Sequence, residues 1–259
     1  MQTHSGSSQG DLSDTQRPIV VAPGRISVPH QIPAHSHCRG QLVYASQGHL
    51  IVKQGSRAWF LLPNMALWIP PNIQHEVIGK TAASYLSVFA ESAQCETLIQ
   101  DTRPLQINLN SLRLIDEASE FSEFYQPGSA EGRLIRLLQQ QLHQLDTSPL
   151  ALPLSENRFI QKITNALIQS PDDSRQLKDW AAQLHTSTRT IHRNFIQHLG
   201  MGLEQWKQHW RINLAIERLR ADHSITQIAF DLGYNSSSAF SYRFRQCLGL
   251  SPRQFMASN

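Results

Sequence analysis

The C-terminal part of this 259-residue chain contains an internal repeat, and that repeat leaves few folds open. Leu177, Trp180, Ala181 and Leu184 recur as Ile225, Ile228, Ala229 and Leu232 at an offset of 48. Ile191, Phe195, Leu199 and Gly200 recur as Phe240, Phe244, Leu248 and Gly249 at an offset of 49. The apolar positions fall at helical spacing, and the one extra residue belongs to the turn between two helices. Each copy is therefore predicted to be an amphipathic helix, a short turn and a second amphipathic helix stopped by glycine. Ser224-Ile-Thr-Gln227 has the pattern of a capping box opening copy two. Ala181 and Ala229 are small where two crossing helices approach, and Gly233 suits a turn position of positive φ. This is helix-turn-helix geometry.

The second helix of each copy turns hydrogen-bonding groups outward. With Ile191 and Phe195 inward, Arg189, His192 and Arg193 lie on the opposite face, behind Ser187 at the helix start. Such long donors suit guanine edges and phosphates. Copy two offers Ser238, Ser241 and Tyr242, with Arg243 and Arg245 beside them. Small polar side chains let a helix sit deep in a groove while arginines hold the backbone. Between the copies, Leu203 to Leu219 reads as one long helix whose Trp206 and Trp210 are assigned to the core. It would fix two recognition helices on successive major-groove segments, about 34 Å apart. Charge agrees: residues 155–259 carry 13 Lys+Arg against 8 Asp+Glu, whereas residues 1–154 carry 10 against 12.

Ala181-Ala-Gln-Leu-His-Thr-Ser-Thr-Arg-Thr-Ile-His-Arg-Asn-Phe195, the run Ile225 to Arg245 and the closing Gly249-Leu-Ser-Pro252 resemble the AraC/XylS family of transcription regulators. The resemblance covers about residues 155–259. It implies that Arg189, His192 and Arg193 form the first recognition set, and Ser237, Ser238, Ser241 and Tyr242 the second. Tyr242 stands where many members carry Arg, which weakens the expectation of a strong base contact there.

The N-terminal half is built differently. Residues 1–17 read as a disordered polar tail. Residues 18–110 read as many short strands punctuated by Gly48, Gly55, Pro63-Asn64, Pro70-Pro71-Asn72 and Gly79, the signature of a sandwich or barrel. Residues 111–154 hold a helical segment with a leucine stripe at Leu134, Leu137, Leu138 and Leu145. Packing on its own barrel and self-association account equally well for that stripe. The segment closes in the proline-broken linker Thr147 to Leu154, and residues 155–259 follow as the DNA-binding domain.

Three histidines concentrate the chemistry of this half. His35 and His37 alternate along a predicted strand and share one face. His75 follows a Pro70-Pro71-Asn72 turn, and Gln41 lies four residues beyond His37. Three converging imidazoles could hold Zn, Ni, Mn or Fe. The pattern resembles the cupin signature, with Gln41 in place of the usual Glu ligand, Asn72 in place of Gly and Gly79 in place of Asn. The resemblance implies a small β-barrel with an effector in its mouth, where Trp59, Trp68 and Tyr44 would pack the barrel or line the pocket. A divalent metal is admitted there and not required. Cys38 would face away from the histidines.

The fold class is therefore α+β, a cupin-like β-barrel followed by an all-α domain with two helix-turn-helix units. No apolar run reaches the roughly 20 residues that span a bilayer, and the start of the chain is no secretory signal. Three scattered cysteines favour a reducing cytoplasm over a disulfide framework. The function expected is a transcription regulator controlled by a small-molecule effector. Its partners would be double-stranded DNA, the effector, RNA polymerase and a second copy of the chain. The alternative is a cupin metalloenzyme, a dioxygenase or isomerase, with a helical appendage. That alternative lacks a firmly held metal, a nucleophile–base motif or a phosphate loop.

Overall fold

The structure, a computed structural model, describes residues 17–28, 30–63, 65–92 and 100–257. The N-terminal tail lies outside this range except for Arg17, and Cys95 lies outside it too. Two units result, residues 1–55 with 63–148, and residues 56–62 with 149–259.

In the first unit, β1 (Ile19–Ile26), β3 (Gly40–Gln47), β6 (Met65–Ile69), β8 (Ala83–Ala90) and β9 (Arg103–Gln106) form an antiparallel sheet in the order β1-β8-β3-β6-β9. A second sheet runs β4 (Leu50–Gln54), β7 (His75–Gly79), β2 (Gln31–His35). The barrel expected from the sequence is thus an arrangement of two sheets, and among the described residues no ladder closes them. Strand β3 is buried along most of its length because both its faces are covered. Leu42 and Tyr44 pack with Ile19, Val21, Trp68 and Val88 against α1 (Leu109–Ala118) and α2 (Ala130–Leu142). By strand alternation Gln41, Ser87 and Phe89 turn to the other face.

Of the leucine stripe, Leu138 and Leu145 are in the core and Leu134 packs against it, while Leu137 is not. Ile135, Leu138, Leu142 and Leu145 join the core under the sheet, while Leu137 is 46% exposed. The stripe packs on its own sheet. Tyr44 and Trp68 belong to that same core and not to a pocket.

The second unit reproduces the repeat in its element boundaries. Helices α4 (Leu177–Gln183) and α7 (Ile225–Asp231) are offset by 48 residues, α5 (Thr188–Leu199) and α8 (Ser237–Leu248) by 49. Ser187 and Ser236 cap α5 and α8, and Gly200 and Gly249 end them in the left-handed conformation. The turns also correspond: His185 and Gly233 both take positive φ, and Thr186 and Tyr234 donate back to the carbonyls of Ala181 and Ala229 at 3.0 and 2.9 Å. Only half of the expected capping box forms. Ser224 Oγ accepts from Gln227 N, but the Gln227 side chain donates to Asp231 instead of returning to the cap.

Between the copies runs α6 (Leu203–Arg220), with Trp206 and Trp210 buried. The stretch expected to be a linker is pinned along this unit. The carbonyls of Leu150, Ala151 and Pro153 face Asn213 Nδ2, His209 Nδ1 and Trp206 Nε1 at 2.9, 3.1 and 2.8 Å. The Leu152 carbonyl accepts from Phe60 N at 2.9 Å. Phe60 sits on β5 (Arg57–Leu61), which pairs with β10 (Pro153–Ser155). Trp59, also on β5, is buried. Helices α3 (Arg158–Gln169) and α9 (Pro252–Ala257) complete the unit.

Gly233 carries two constraints at once. Its φ is +75°, and a Cβ there would lie 2.9 Å from the Asp172 carbonyl oxygen. Gly249 has φ +77° with open space around it. Gly233→Ala should therefore destabilise the unit by about 2 kcal/mol or more, and Gly249→Ala by about 1 kcal/mol. Urea unfolding of the two variants checks this, and equal losses would contradict the close approach at Gly233.

Candidate functional site

The two groups of residues singled out in the sequence occupy separate units. In the second unit, Arg189, His192 and Arg193 are all exposed on α5 while Ile191 and Phe195 are buried behind them. Ser187 is exposed as well, but its oxygen is engaged as the cap of α5, accepting from Thr190 N at 3.0 Å. On α8, Ser238, Tyr242 and Arg243 are exposed and Ser237 and Ser241 half-buried, opposite buried Phe240 and Phe244. Each recognition helix thus presents a polar stripe held by an apolar one.

Tyr242 is held in a way that its sequence context does not announce. Gln246, one turn on, donates from Nε2 to the Tyr242 hydroxyl at 2.7 Å and accepts from Arg243 Nη1 at 2.9 Å. With its oxygen receiving that bond, the phenol keeps its own O–H as a donor. Neither Gln246 nor Ser236 stood out in the sequence. The spacing from Tyr242 to Gln246, four residues on a helix, was the available signal.

The frame behind these faces is polar and buried in places. Lys207 is buried on α6 and donates to the Arg175 carbonyl at 3.3 Å, and burial lowers its pKa. Arg211 reaches the carbonyls of Pro171 and Asp173 at 2.8 and 3.2 Å, and its guanidinium lies 5.6 Å from the Tyr234 ring centre. Gln208 donates to the Tyr234 hydroxyl at 2.9 Å. One helix thus touches the segment before copy one and the turn inside copy two.

In the first unit His35, His37 and His75 do meet. One ring nitrogen from each lies within 4.8 Å of one from each of the others. The route differs from the sequence reading. His35 ends β2 and stands opposite His75 at the start of β7, beside a bulge, whereas His37 lies past the strand end. Its carbonyl accepts from Asn72 N at 2.8 Å, which ties the two loops together. Asn72 has φ +61°, so it adopts the conformation that glycine would give at this place in the cupin pattern. Cys38 is exposed, a free thiol outside the cluster.

All three Nδ1 atoms are engaged locally: with the Pro33 carbonyl at 2.8 Å, the Arg39 carbonyl at 2.6 Å and the Ile73 carbonyl at 2.9 Å for His35, His37 and His75 respectively. The Nε2 atoms remain for other work. That of His37 lies 3.1 Å from Gln41 Oε1, and Gln41 donates from Nε2 to Ser87 Oγ at 2.8 Å. That of His75 is buried and makes no hydrogen bond. The Phe89 ring stands edge-on to His37, 5.3 Å between centroids.

Residues 180–258 match the family described as a helix-turn-helix domain. The HTH-type transcriptional regulator NimR of Escherichia coli (strain K12) is 26% identical over 225 residues, 87% of this chain and 82% of that protein. The HTH-type transcriptional activator RhaS of Salmonella arizonae is 39% identical over 74 residues, 28% of this chain and 27% of that one. Residues 180–258 are a helix-turn-helix domain, and the chain is similar to HTH-type transcriptional regulators. Among solved structures, ToxT from Vibrio cholerae aligns over 93% of this chain and 99% of that chain, at 13% identity and a TM-score of 0.39. That likeness is too loose to transfer any property. The matched segment holds both α5 and α8 and begins at Trp180 inside α4.

His75 makes the first unit sensitive to acid. It is 1% exposed, and burial pushes its pKa from 6.5 down to about 4; the bond to the Ile73 carbonyl works the other way, and His35 and His37 act with burial. As pH falls below 6.5, the unfolded chain takes a proton that the folded chain refuses until about 4, so the folded state loses stability across that window. Unfolding free energy should fall more steeply over this range in the unsubstituted chain than in His75→Gln. The difference should reach about 2–3 kcal/mol at the acid end. Parallel denaturation curves for the two proteins would contradict this.

Proposed function

We propose that this regulator reads double-stranded DNA with α5 and α8 together and takes a small-molecule effector at His35, His37, Gln41 and His75. The observation that carries the first part is the outward polar stripe, repeated on both recognition helices at the offset of the repeat itself. Arg189, Arg193 and His192 are free to reach base edges from α5, while Tyr242 brings a donor hydroxyl on α8. Ser238 and Ser241 let α8 approach closely, and Arg243 holds phosphate. Ser187 serves the helix cap first and contributes through the helix N-terminus it stabilises.

The effector part rests on the histidine pocket, which gathers polar groups from both sheets of the first unit. An effector changes DNA occupancy only by its differential affinity for the states of the chain that bind and do not bind DNA. Control of transcription adds RNA polymerase as a partner, and we place the reaction in the cytoplasm, where Cys38 and Cys247 stay as free thiols. Among the described residues no helix is long and apolar enough to cross a membrane. The relatives are named as transcription regulators, which favours this reading over a metalloenzyme.

Selection of bound duplexes from a random pool by the full chain tests the DNA reading. A motif with two separated segments is expected, and Arg193→Ala should weaken binding by about 1–3 kcal/mol and relax one position of one segment. Affinity should also fall steeply as salt rises. A pool that enriches no motif would overturn the assignment.

A further inference from the structure

We propose that His35, His37 and His75 receive a primary ammonium group of a small effector, not a metal ion, through their Nε2 atoms. The inference rests on the reading of this pocket as the effector site and names the chemistry of the effector. A metal, which the cupin pattern implies at this place, fits these residues poorly. Tetrahedral coordination at about 2.0–2.1 Å asks for roughly 3.3 Å between ligand atoms. The three ring nitrogens are gathered only to within 4.8 Å of one another. Gln41, where the pattern has a carboxylate, brings a neutral amide tethered to Ser87 Oγ at 2.8 Å. No Asp, Glu or Cys joins the three histidines among the described residues, so nothing there neutralises a divalent ion.

Proton placement shows what the pocket lacks. Each Nδ1 lies 2.6–2.9 Å from a backbone carbonyl two residues away. A carbonyl only accepts, so each Nδ1 carries its ring's proton. A second proton on rings this close is disfavoured by like-charge repulsion. Each Nε2 is therefore a lone pair, and the three rings converge acceptors without a donor. Gln41 Oε1, 3.1 Å from His37 Nε2, adds a fourth acceptor, and this facing pair calls for an N–H beside it. His75 is 1% exposed, and its Nε2 is buried without a hydrogen-bond partner. A buried polar atom left unpaired is unfavourable, and an incoming donor would satisfy it.

The number and spacing of the acceptors select the donor. Three acceptors around one point suit a single atom bearing three hydrogens. A hydroxyl brings one donor, a water or an amide nitrogen two, and an ammonium nitrogen three. At donor–acceptor distances of about 2.9 Å and tetrahedral angles, the acceptors around an ammonium stand about 4.7 Å apart. That spacing falls within the 4.8 Å of the histidine nitrogens, with no ring drawn inward. His35 and His37 are only half-buried, which leaves the cation part of its water and gives the rest of the effector a way out of the pocket. Anions find the opposite: lone pairs converge on them and no donor meets them.

The test uses the full chain, stripped with chelator, near neutral pH and at constant ionic strength, with methylammonium as the probe. So small an ion binds no more tightly than the millimolar range, so it is titrated to about 100 mM. NMR of the imidazole nitrogens should show saturable shifts of the three Nε2 signals. Tetramethylammonium, a cation without N–H groups, should leave them in place. His35→Ala and His37→Ala should each weaken methylammonium at least about tenfold, with circular dichroism confirming that the variants fold. Gln41→Glu should bind it more tightly, because a carboxylate adds charge to the acceptor. Equal shifts from tetramethylammonium overturn the ammonium site, and so does one cobalt(II) per chain held by the stripped protein at micromolar ion. Acetate that shifts the three signals where methylammonium does not overturns the ammonium and leaves the pocket as the effector site. If neither probe shifts them, the pocket falls as an effector site as well. None of these outcomes touches duplex selection, so the DNA reading stands or falls separately.

Discussion

The second unit is assembled on two indoles. Trp206 and Trp210 stack along α6 with ring centroids 6.3 Å apart, and neither leaves its N–H unpaired. Trp206 donates to the Pro153 carbonyl and Trp210 to that of Leu167, at 2.8 and 2.9 Å. Burying two large aromatic rings drives the packing, and the two donors decide which segments pack there. Everything that positions the recognition helices follows from the helix so held. Arg211 reaches the segment ahead of copy one, and Gln208 reaches Tyr234 in the turn of copy two. Both copies are therefore tied to this one helix.

The two sites use polar groups in opposite ways. On α5 and α8 the arginines, the histidine and Tyr242 stand in water with donor capacity to spare, which suits a partner that is itself a dense array of acceptors. In the first unit the polar groups are spent inward, ring nitrogen on backbone carbonyl and amide on hydroxyl. That arrangement gives up adaptability for aim.

Much of this was legible in the sequence where a period exists to be read. The offsets of 48 and 49 reappear as helix boundaries, and the inward and outward faces of α5 follow from Ile191 and Phe195 alone. The meeting of His35, His37 and His75 was legible as a constellation but not in its geometry. His37 reaches the others through a loop bond to Asn72, which strand alternation does not describe. The leucine stripe was read correctly at Leu138 and Leu145 and missed at Leu137, because Ile135 and Leu142 fit the same helical period. Which set is buried depends on the sheet beneath, a tertiary choice. The linker failed for a different reason. Prolines at 149 and 153 signal a break in a helix, and an extended segment pinned by its carbonyls carries the same signal as a free one.

The placement of β5 bears on how the chain comes to be folded at all. Residues 56–62 belong to the second unit although they are encoded in the midst of the first. A ribosome releases them long before β10 and α6, so Phe60 waits for Trp210 while the strands around it in sequence are already being made. Closing the second unit thus requires contacts of long sequence separation, which form slowly. The helix-turn-helix unit is in this sense assembled from segments made far apart in time, β5 early and β10 with α6 much later.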